Sequence, residues 1–175
     1  MVTAIVTNLQ NGAMEKTVRK SLIAGFTLAA GMALSPYAIS AAAGRAIGDK
    51  GTDGTVYAGI SPDTGSPLYT TVADAPDHYS WFKGTEYCAA LEADGHRDWR
   101  VPTIGELAVL YANRNTGALT GSFNETGEYP TGRYWSSSLI RNRPLRDGDA
   151  WTRRFSDGRR IDGYRYDFSS LRCVR

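Results

Sequence analysis

The chain contains 175 residues, a length that suits one domain of ordinary size. Hydrophobic residues make up 42% and charged residues 22%, which excludes a wholly disordered protein, and the two Cys and two His predict neither a metal centre nor a cofactor. The net charge of +2 conceals an asymmetry. Residues 129–175 carry eleven Arg and five Asp, whereas residues 1–128 carry nine basic and thirteen acidic side chains.

The first 43 residues have the pattern of a secretory signal peptide. Basic residues between positions 16 and 20 precede an uncharged run at 21–34, and three alanines follow at 41–43. Without cleavage the same run would be a membrane anchor or a buried helix. Met14 stands directly before the basic residues, so the preceding residues could be an extended start. The sequence therefore predicts an exported protein with its folded domain at 44–175.

Two β-prone runs open the predicted domain. Thr55 to Ile60 and Leu68 to Val72 are separated by a connector rich in Ser, Pro, Asp and Gly, which predicts a hairpin. Ser80 to Ala93 has the spacing of a helix with one buried stripe, and Asp94-Gly95 would end it.

A second helix and three strands are predicted after the first helix. Thr103 and Glu106 form a capping-box pattern, and apolar residues on one face continue the helix to about Arg114. The predicted strands are Tyr134 to Ser138, Ala150 to Phe155 and Ser170 to Val174, with a turn at Asp157-Gly158.

The two cysteines are interpreted in the light of export. In an oxidising compartment an even number indicates one disulfide, here between Cys88 and Cys173. A reactive thiol is the alternative. It would require a nearby His, and neither His78 nor His96 is an obvious partner.

Five motifs, taken in order, resemble those of the Lcl C-terminal domain family. They are Asp98-Trp99-Arg100-Val101-Pro102-Thr103 with Glu106-Leu107, Tyr134-Trp135-Ser136-Ser137-Ser138, Ala150-Trp151, Phe155-Ser156-Asp157-Gly158 and Leu171-Arg172-Cys173-Val174-Arg175. That family is similar to the C-type-lectin-like and formylglycine-generating-enzyme folds. The resemblance implies an α+β, C-type-lectin-like domain: a small mixed sheet, two flanking helices, termini close together, and a disulfide between Cys88 on the first helix and Cys173 on the last strand.

The large rings within or near these motifs are expected to form the core. They are Trp81, Trp99, Trp135, Trp151 and Phe155, and they include all four Trp of the chain. On this interpretation no Trp remains for a binding surface.

The amino-acid alphabet narrows near the C-terminal end. Residues 129–175 contain no Lys, Glu, Gln or Met, although the preceding 128 residues contain fourteen of them. Codons of the form NNC, which arise when AAC codons are randomised at their adenines, encode neither these four residues nor Trp. The stretch resembles the variable region of proteins diversified by retroelements, placed here at about 137–170. An Arg-rich solvated surface of biased composition is the alternative.

The residues between the motifs are the predicted contact set, the side chains expected to bind a ligand. Arg and Tyr among them are common binding hot spots, and Tyr164 and Tyr166 would share one face of an extended strand. The predicted contact set is Leu139, Ile140, Arg141, Arg143, Leu145, Arg146, Asp149, Thr152, Arg154, Arg159, Arg160, Asp162, Tyr164, Arg165, Tyr166 and Asp167.

No enzymatic activity is predicted. The chain lacks the additional cysteines that formylglycine chemistry would need, and it has no P-loop, G-x-S-x-G or G-x-G-x-x-G motif. Asp147 and Asp149 are interpreted as parts of a solvated loop in preference to a calcium or acid–base site.

Two functions remain: a diversified protein that recognises a protein or cell-surface ligand, and a fixed adhesin that binds anionic polysaccharide through its Arg-rich face. Nucleic acid is not expected as a partner, and a membrane would be engaged only through an uncleaved anchor.

Overall fold

The structure is a computed structural model that describes residues 44–175. The predicted signal peptide and the alternative start at Met14 lie outside the described residues. Two helices, one short 3₁₀ helix, two small sheets and one disulfide make up the described part, which confirms the α+β class. The elements are β1 (Val56–Ile60), β2 (Pro67–Thr70), α1 (Trp81–Ala90), α2 (Ile104–Asn113), the 3₁₀ helix (Gly117–Leu119), β3 (Arg133–Leu139), β4 (Ala150–Arg154) and β5 (Arg160–Gly163).

The strands pair as two antiparallel sheets. β1 and β2 form the predicted hairpin, and β3, β4 and β5 form a three-stranded sheet in that order. The expectation of one mixed sheet is therefore wrong for residues 44–175, where the parallel pairing is an isolated bridge between Tyr134 and Ser170. Ser170 to Val174, predicted as a strand, makes isolated bridges to Thr70, Arg100 and Tyr134. Backbone hydrogen bonds between Tyr69 and Arg175 and from Thr71 N to Cys173 O (3.3 Å) place its end antiparallel to the end of β2.

β5 was not predicted from the sequence. Three of its four residues are Arg, Asp and Gly, which have no strand-like apolar alternation. The strand forms because the predicted turn at Asp157-Gly158 brings it back against β4. Gly158 has a φ of 73°, in the left-handed region that favours glycine, and an added Cβ there would overlap the Tyr111 ring.

The helices begin where their caps predict. The Ser80 side chain accepts a hydrogen bond from Lys83 N (3.4 Å) at the start of α1. Thr103 and Glu106 form the complete capping box of α2. α1 ends at Ala90, three residues earlier than predicted, because Leu91 already has extended backbone.

Two hydrophobic clusters pack on opposite faces of β3. Tyr134 belongs to a cluster with Leu107, Leu110 and Phe155, whereas its neighbour Trp135 belongs to the cluster that contains the disulfide, Trp99 and Leu171. Successive strand residues point to opposite faces, so one strand serves both clusters. Trp99, Trp135 and Phe155 are buried as expected.

Trp151 is the exception to the predicted core. Its side chain is only half-buried and belongs to neither cluster, so the expectation that every large ring lies in the core is wrong for this residue. Trp81 is half-buried and packs against the cluster that contains the disulfide. Trp81 keeps its indole N–H satisfied by donating to Ser136 O (2.8 Å).

The disulfide joins Cys88 to Cys173, which confirms the predicted pairing. Their Cα atoms lie 5.6 Å apart, and both residues are buried beside Trp99 and Trp135. The bridge therefore connects α1 to the extended segment that follows Ser169. The two ends of the described chain also meet, because the guanidinium groups of Arg45 and Arg175 both lie over the Tyr69 ring (5.6 and 5.7 Å).

A fully buried carboxylate fixes the start of α2. Glu106 accepts hydrogen bonds from both terminal nitrogens of Arg100 (2.6 Å each), from Ser61 Oγ (2.7 Å) and from Thr103 N (2.9 Å). Burial by itself raises the pKa of Glu106, but the hydrogen bonds and the Arg100 charge outweigh it, so the pKa lies below its ordinary value.

We expect Glu106 to make stability depend on pH on the acid side. A carboxylate whose pKa is lower in the folded state stabilises the protein above its unfolded pKa and loses that contribution as the pH falls through the folded pKa. Glu106→Gln should cost about 1.5–3 kcal/mol at neutral pH, since charged hydrogen bonds are lost. Urea unfolding between neutral and acidic pH should show a smaller loss of stability in the variant. An equally steep acid loss in both proteins would contradict the assignment.

Candidate ligand-binding surface

The loop between β3 and β4 is the most exposed part of the candidate surface. Residues 141–147 are all exposed, and Leu145 at its tip is fully exposed. The base of the loop is closed by two backbone hydrogen bonds, Ile140 N to Asp149 O (2.6 Å) and Gly148 N to Ile140 O (2.9 Å). Asn142 N donates to the Asp147 carboxylate (3.0 Å), so the backbone of the loop is held while its side chains face solvent.

Trp151 on β4 carries two arginines. The guanidinium of Arg160 lies 4.2 Å from the centroid of the indole ring, and that of Arg143 lies 5.8 Å from it. Both distances are within the range of a cation–π interaction. Arg160 belongs to β5 and Arg143 to the exposed loop. The half-buried Trp151 ring therefore contacts guanidinium groups from two different elements.

A third arginine lies beside this stack. Arg153 pairs with Arg160 in the β4–β5 register and donates to the carbonyl oxygens of Gly158 and Ile104. Its buried Nε has no hydrogen-bond partner among the described residues. Burial, and then the charge of Arg160, lower the pKa of Arg153. Positive charge is therefore concentrated around Trp151.

Other arginines of the surface are neutralised by carboxylates. Arg146 forms ion pairs with two of them: its Nη1 lies 3.5 Å from Asp149 Oδ2, and its Nε lies 3.6 Å from Asp162 Oδ2. Asp157 is paired with Arg154 and lies 3.4 Å from Arg159 Nε. The hydrogen bond from Arg154 is the main reason that the pKa of Asp157 lies below its ordinary value.

A second group of rings lies at the turn after β5. Tyr164 and Tyr166 are exposed, with their ring centroids 5.2 Å apart, and Tyr166 lies 5.3 Å from the Phe82 ring of α1. Asp167 N donates to Tyr164 O (2.8 Å), so this stretch is a turn, and the expectation that both tyrosines alternate along an extended strand is wrong. The rings share one surface because the turn folds them together.

Arg165 connects the turn to the loop. Its guanidinium lies over the rings of Phe82 (5.0 Å) and Trp81 (5.6 Å). A Cβ added at Gly148 would lie 3.4 Å from Arg165 Nη2, so the loop base and the turn are neighbours. We call the exposed parts of the 141–147 loop, of the Trp151 arginine stack and of the 164–168 turn the contact surface.

Three members of the predicted contact set are buried. Ile140 is 1% exposed, Thr152 is 2% exposed and Asp149 is 8% exposed. Ile140 closes the loop base, and the Thr152 hydroxyl donates to Ile161 O (3.0 Å). Their prediction as contact residues is therefore corrected, because side chains turned inward cannot meet a ligand. The other thirteen residues lie on the surface at least in part.

Several exposed rings were missed from the sequence. Tyr129 and Phe168 are more than half exposed, and Tyr129 OH accepts a hydrogen bond from Phe168 N (3.3 Å). Trp151 and Phe82 were also left out of the predicted contact set. For Trp151 the available signal was the pair of charged residues two positions away on either side, Asp149 and Arg153, because period-2 alternation puts them on the same face of a β-strand as Trp151.

Within residues 44–175, no group of three or more His, Cys, Asp or Glu side chains is arranged to hold a metal ion. No helix in the same range is long and apolar enough to cross a membrane.

The chain belongs to the Lcl C-terminal domain family, whose model matches residues 61–175. The matched region includes both helices, both cysteines and the whole three-stranded sheet. A comparison with curated proteins gave no match.

Proposed function

We propose that this chain is an exported ligand-binding protein with a C-type-lectin-like fold, whose contact surface recognises a protein or cell-surface ligand. We further propose that a retroelement diversifies the residues of that surface, at about 137–170. The observation that carries the proposal is the coincidence of two features in one place: the restricted amino-acid alphabet and the cluster of exposed Arg, Tyr and Leu side chains.

The scaffold supports such a role. The loop backbone is held by hydrogen bonds at its base, and α1 is tied to the segment after Ser169 by the disulfide. Exposed side chains on a backbone held in this way can change with little effect on stability, usually within about 0.5 kcal/mol. A held backbone also reduces the entropy lost on binding.

The disulfide supports export as well. Such bonds persist in oxidising compartments and are rare in the cytosol. The proposed location is therefore the periplasm, the cell surface or the medium. No enzymatic activity is proposed.

Sequencing the gene from many independent isolates tests diversification. We expect substitutions to concentrate in codons for exposed residues such as Arg143, Leu145, Arg160 and Tyr166, and mainly at adenines. Codons for the buried Trp135 and Phe155 should remain constant, because loss of a large core ring costs about 3–5 kcal/mol. A nearby copy of the region encoding 135–175, beside a reverse transcriptase gene, is also expected. Substitutions spread evenly over buried and exposed codons would reject the proposal.

A fixed adhesin for anionic polysaccharide is the second candidate. It is favoured by Arg141, Arg143, Arg160 and Arg165, which are without a carboxylate within ion-pair distance in the described part of the chain. Binding of this kind depends mainly on charge and should weaken steeply as salt rises. A protein ligand packed against Tyr164 and Tyr166 should be less sensitive to salt.

A further inference from the structure

We propose that the stack of Arg143, Trp151 and Arg160 is a receptor for carboxylates, and that the ligand is an acidic segment of a protein. This inference rests on the proposed ligand-binding function and names the chemistry of its partner. Trp151 acts in it as a positioning residue, which orients two cations that come from different elements.

The stacked geometry leaves the hydrogen-bonding edges of the arginines available. A guanidinium that lies over an indole ring uses its planar face, while its N–H groups point outward around the edge. Those groups match the two oxygens of a carboxylate in a forked arrangement. The Arg160 guanidinium lies over the Trp151 ring, 4.2 Å from its centroid, and the residue is exposed. Arg160 can therefore keep its contact with the ring while its N–H groups bind a carboxylate.

The charge balance of the stack favours an anion. Arg143 and Arg160 share one ring, and Arg153 lies beside Arg160 in the strand register. No carboxylate among residues 44–175 lies within 4 Å of the charged nitrogens of these three arginines. Neighbouring like charges repel one another, and a bound carboxylate would relieve that repulsion.

The surroundings favour a protein segment over a sulfated polysaccharide. Asp162 is the register partner of Trp151, and Arg146 is already engaged by Asp149 and Asp162. The positive charge is therefore a local focus, bordered by carboxylates that would repel a long polyanion. The contact surface also carries exposed Leu145, Tyr164 and Tyr166, and protein interfaces are rich in tyrosine around their arginine anchors.

Fluorescence anisotropy with a labelled poly-L-glutamate peptide of only about four residues, too short to extend onto the bordering carboxylates, tests the inference. Arg160→Met should weaken binding about five- to tenfold, more than the loss of most interface side chains does. Arg97→Met is the matched control: Arg97 is exposed, lies outside the predicted contact set and is paired with Glu92 (Nη2 to Oε2, 2.9 Å), so its loss should change affinity by less than about twofold. Circular dichroism would establish that both variants remain folded.

Substitution of Trp151 tests the positioning role. Trp151→Leu should weaken poly-L-glutamate binding about two- to fivefold, the range of an exposed cation–π contact, whereas Trp151→Phe should retain most of the affinity. A merely structural role would instead lower the melting temperature and leave the affinity of the folded protein unchanged.

Three outcomes would overturn the inference. The first is failure of poly-L-glutamate to bind, and the second is equal weakening by Arg97→Met and Arg160→Met. The third is tighter binding of a heparin fragment of matched charge that is also lost in Arg160→Met, which would assign the stack to polysaccharide. None of these outcomes alters the codon pattern that tests diversification, so the two proposals fail separately.

Discussion

Replacement of Arg172 by Met should lower the free energy of unfolding by about 3–5 kcal/mol, because it leaves a carboxylate deprived of its cation. Arg172 is fully buried, and its Nε donates to Asp74 Oδ1 (2.8 Å). It also donates to the carbonyl oxygens of Thr71 (2.8 Å) and Ser122. The guanidinium lies 4.0 Å from the Phe123 centroid. In the variant, the Asp74 carboxylate would keep the hydrogen bond from Tyr134 OH (2.6 Å) but lose its ion pair.

Arg175→Met is the matched control for this prediction. Arg175 pairs with Asp98 (2.9 Å), but that Asp side chain is largely exposed. Exposed ion pairs contribute about 0–1 kcal/mol, so the control should unfold near the wild-type urea concentration. If both variants lost the same free energy of unfolding, the buried network around Asp74 would stabilise the protein no more than an exposed ion pair does.

Loss of the disulfide should be the second large effect. Cys173→Ser should cost about 2–5 kcal/mol, as removal of a native bridge from a small secreted domain does. The bridge closes a loop with a sequence separation of 85 residues, which restricts the unfolded chain. Chemical denaturation with and without reductant measures the effect, and thiol labelling of the oxidised, folded protein should find neither Cys88 nor Cys173 reactive.

A double variant, Cys88→Ala with Cys173→Ala, separates the cross-link from packing. It should have nearly the stability of the reduced wild-type protein, because both lack the bridge and keep small apolar groups at these positions. Two labelled thiols in folded, oxidised protein, or a denaturation midpoint that reductant leaves unchanged, would contradict the prediction.

The elements predicted correctly are those specified by neighbouring residues. The β1–β2 hairpin depends on the turn-forming connector between its strands, and α2 begins at the Thr103 and Glu106 capping box. β5 depends on pairing with β4, and the single bridges of Ser170 to Val174 depend on distant segments. Local sequence patterns carry little information about such pairings.

The residues of the candidate surface were proposed from the sequence, but their geometry was not. The restricted alphabet marks a stretch of the chain, because it depends on which residues occur and not on how they pack. The same reasoning could not assign Ile140 and Thr152 to the interior or Trp151 to the surface, since burial depends on which face another element covers. Arg172 was likewise indistinguishable in sequence from the exposed arginines around it, although it is fully buried.

The bridges made by residues 169–174 also determine when the domain can fold. Ser169 pairs with Tyr79, Ser170 with Tyr134, and Val174 with both Thr70 and Arg100. These partners lie in separate parts of the chain, so the native arrangement cannot be completed until residue 174 has left the ribosome. The complete fold therefore forms only after this segment has been synthesised, which suits the proposed export, because secretion channels accept extended polypeptides. Under the proposed diversification, a frameshift within 137–170 would remove these bridges, so only variants read in frame would fold and reach their ligand.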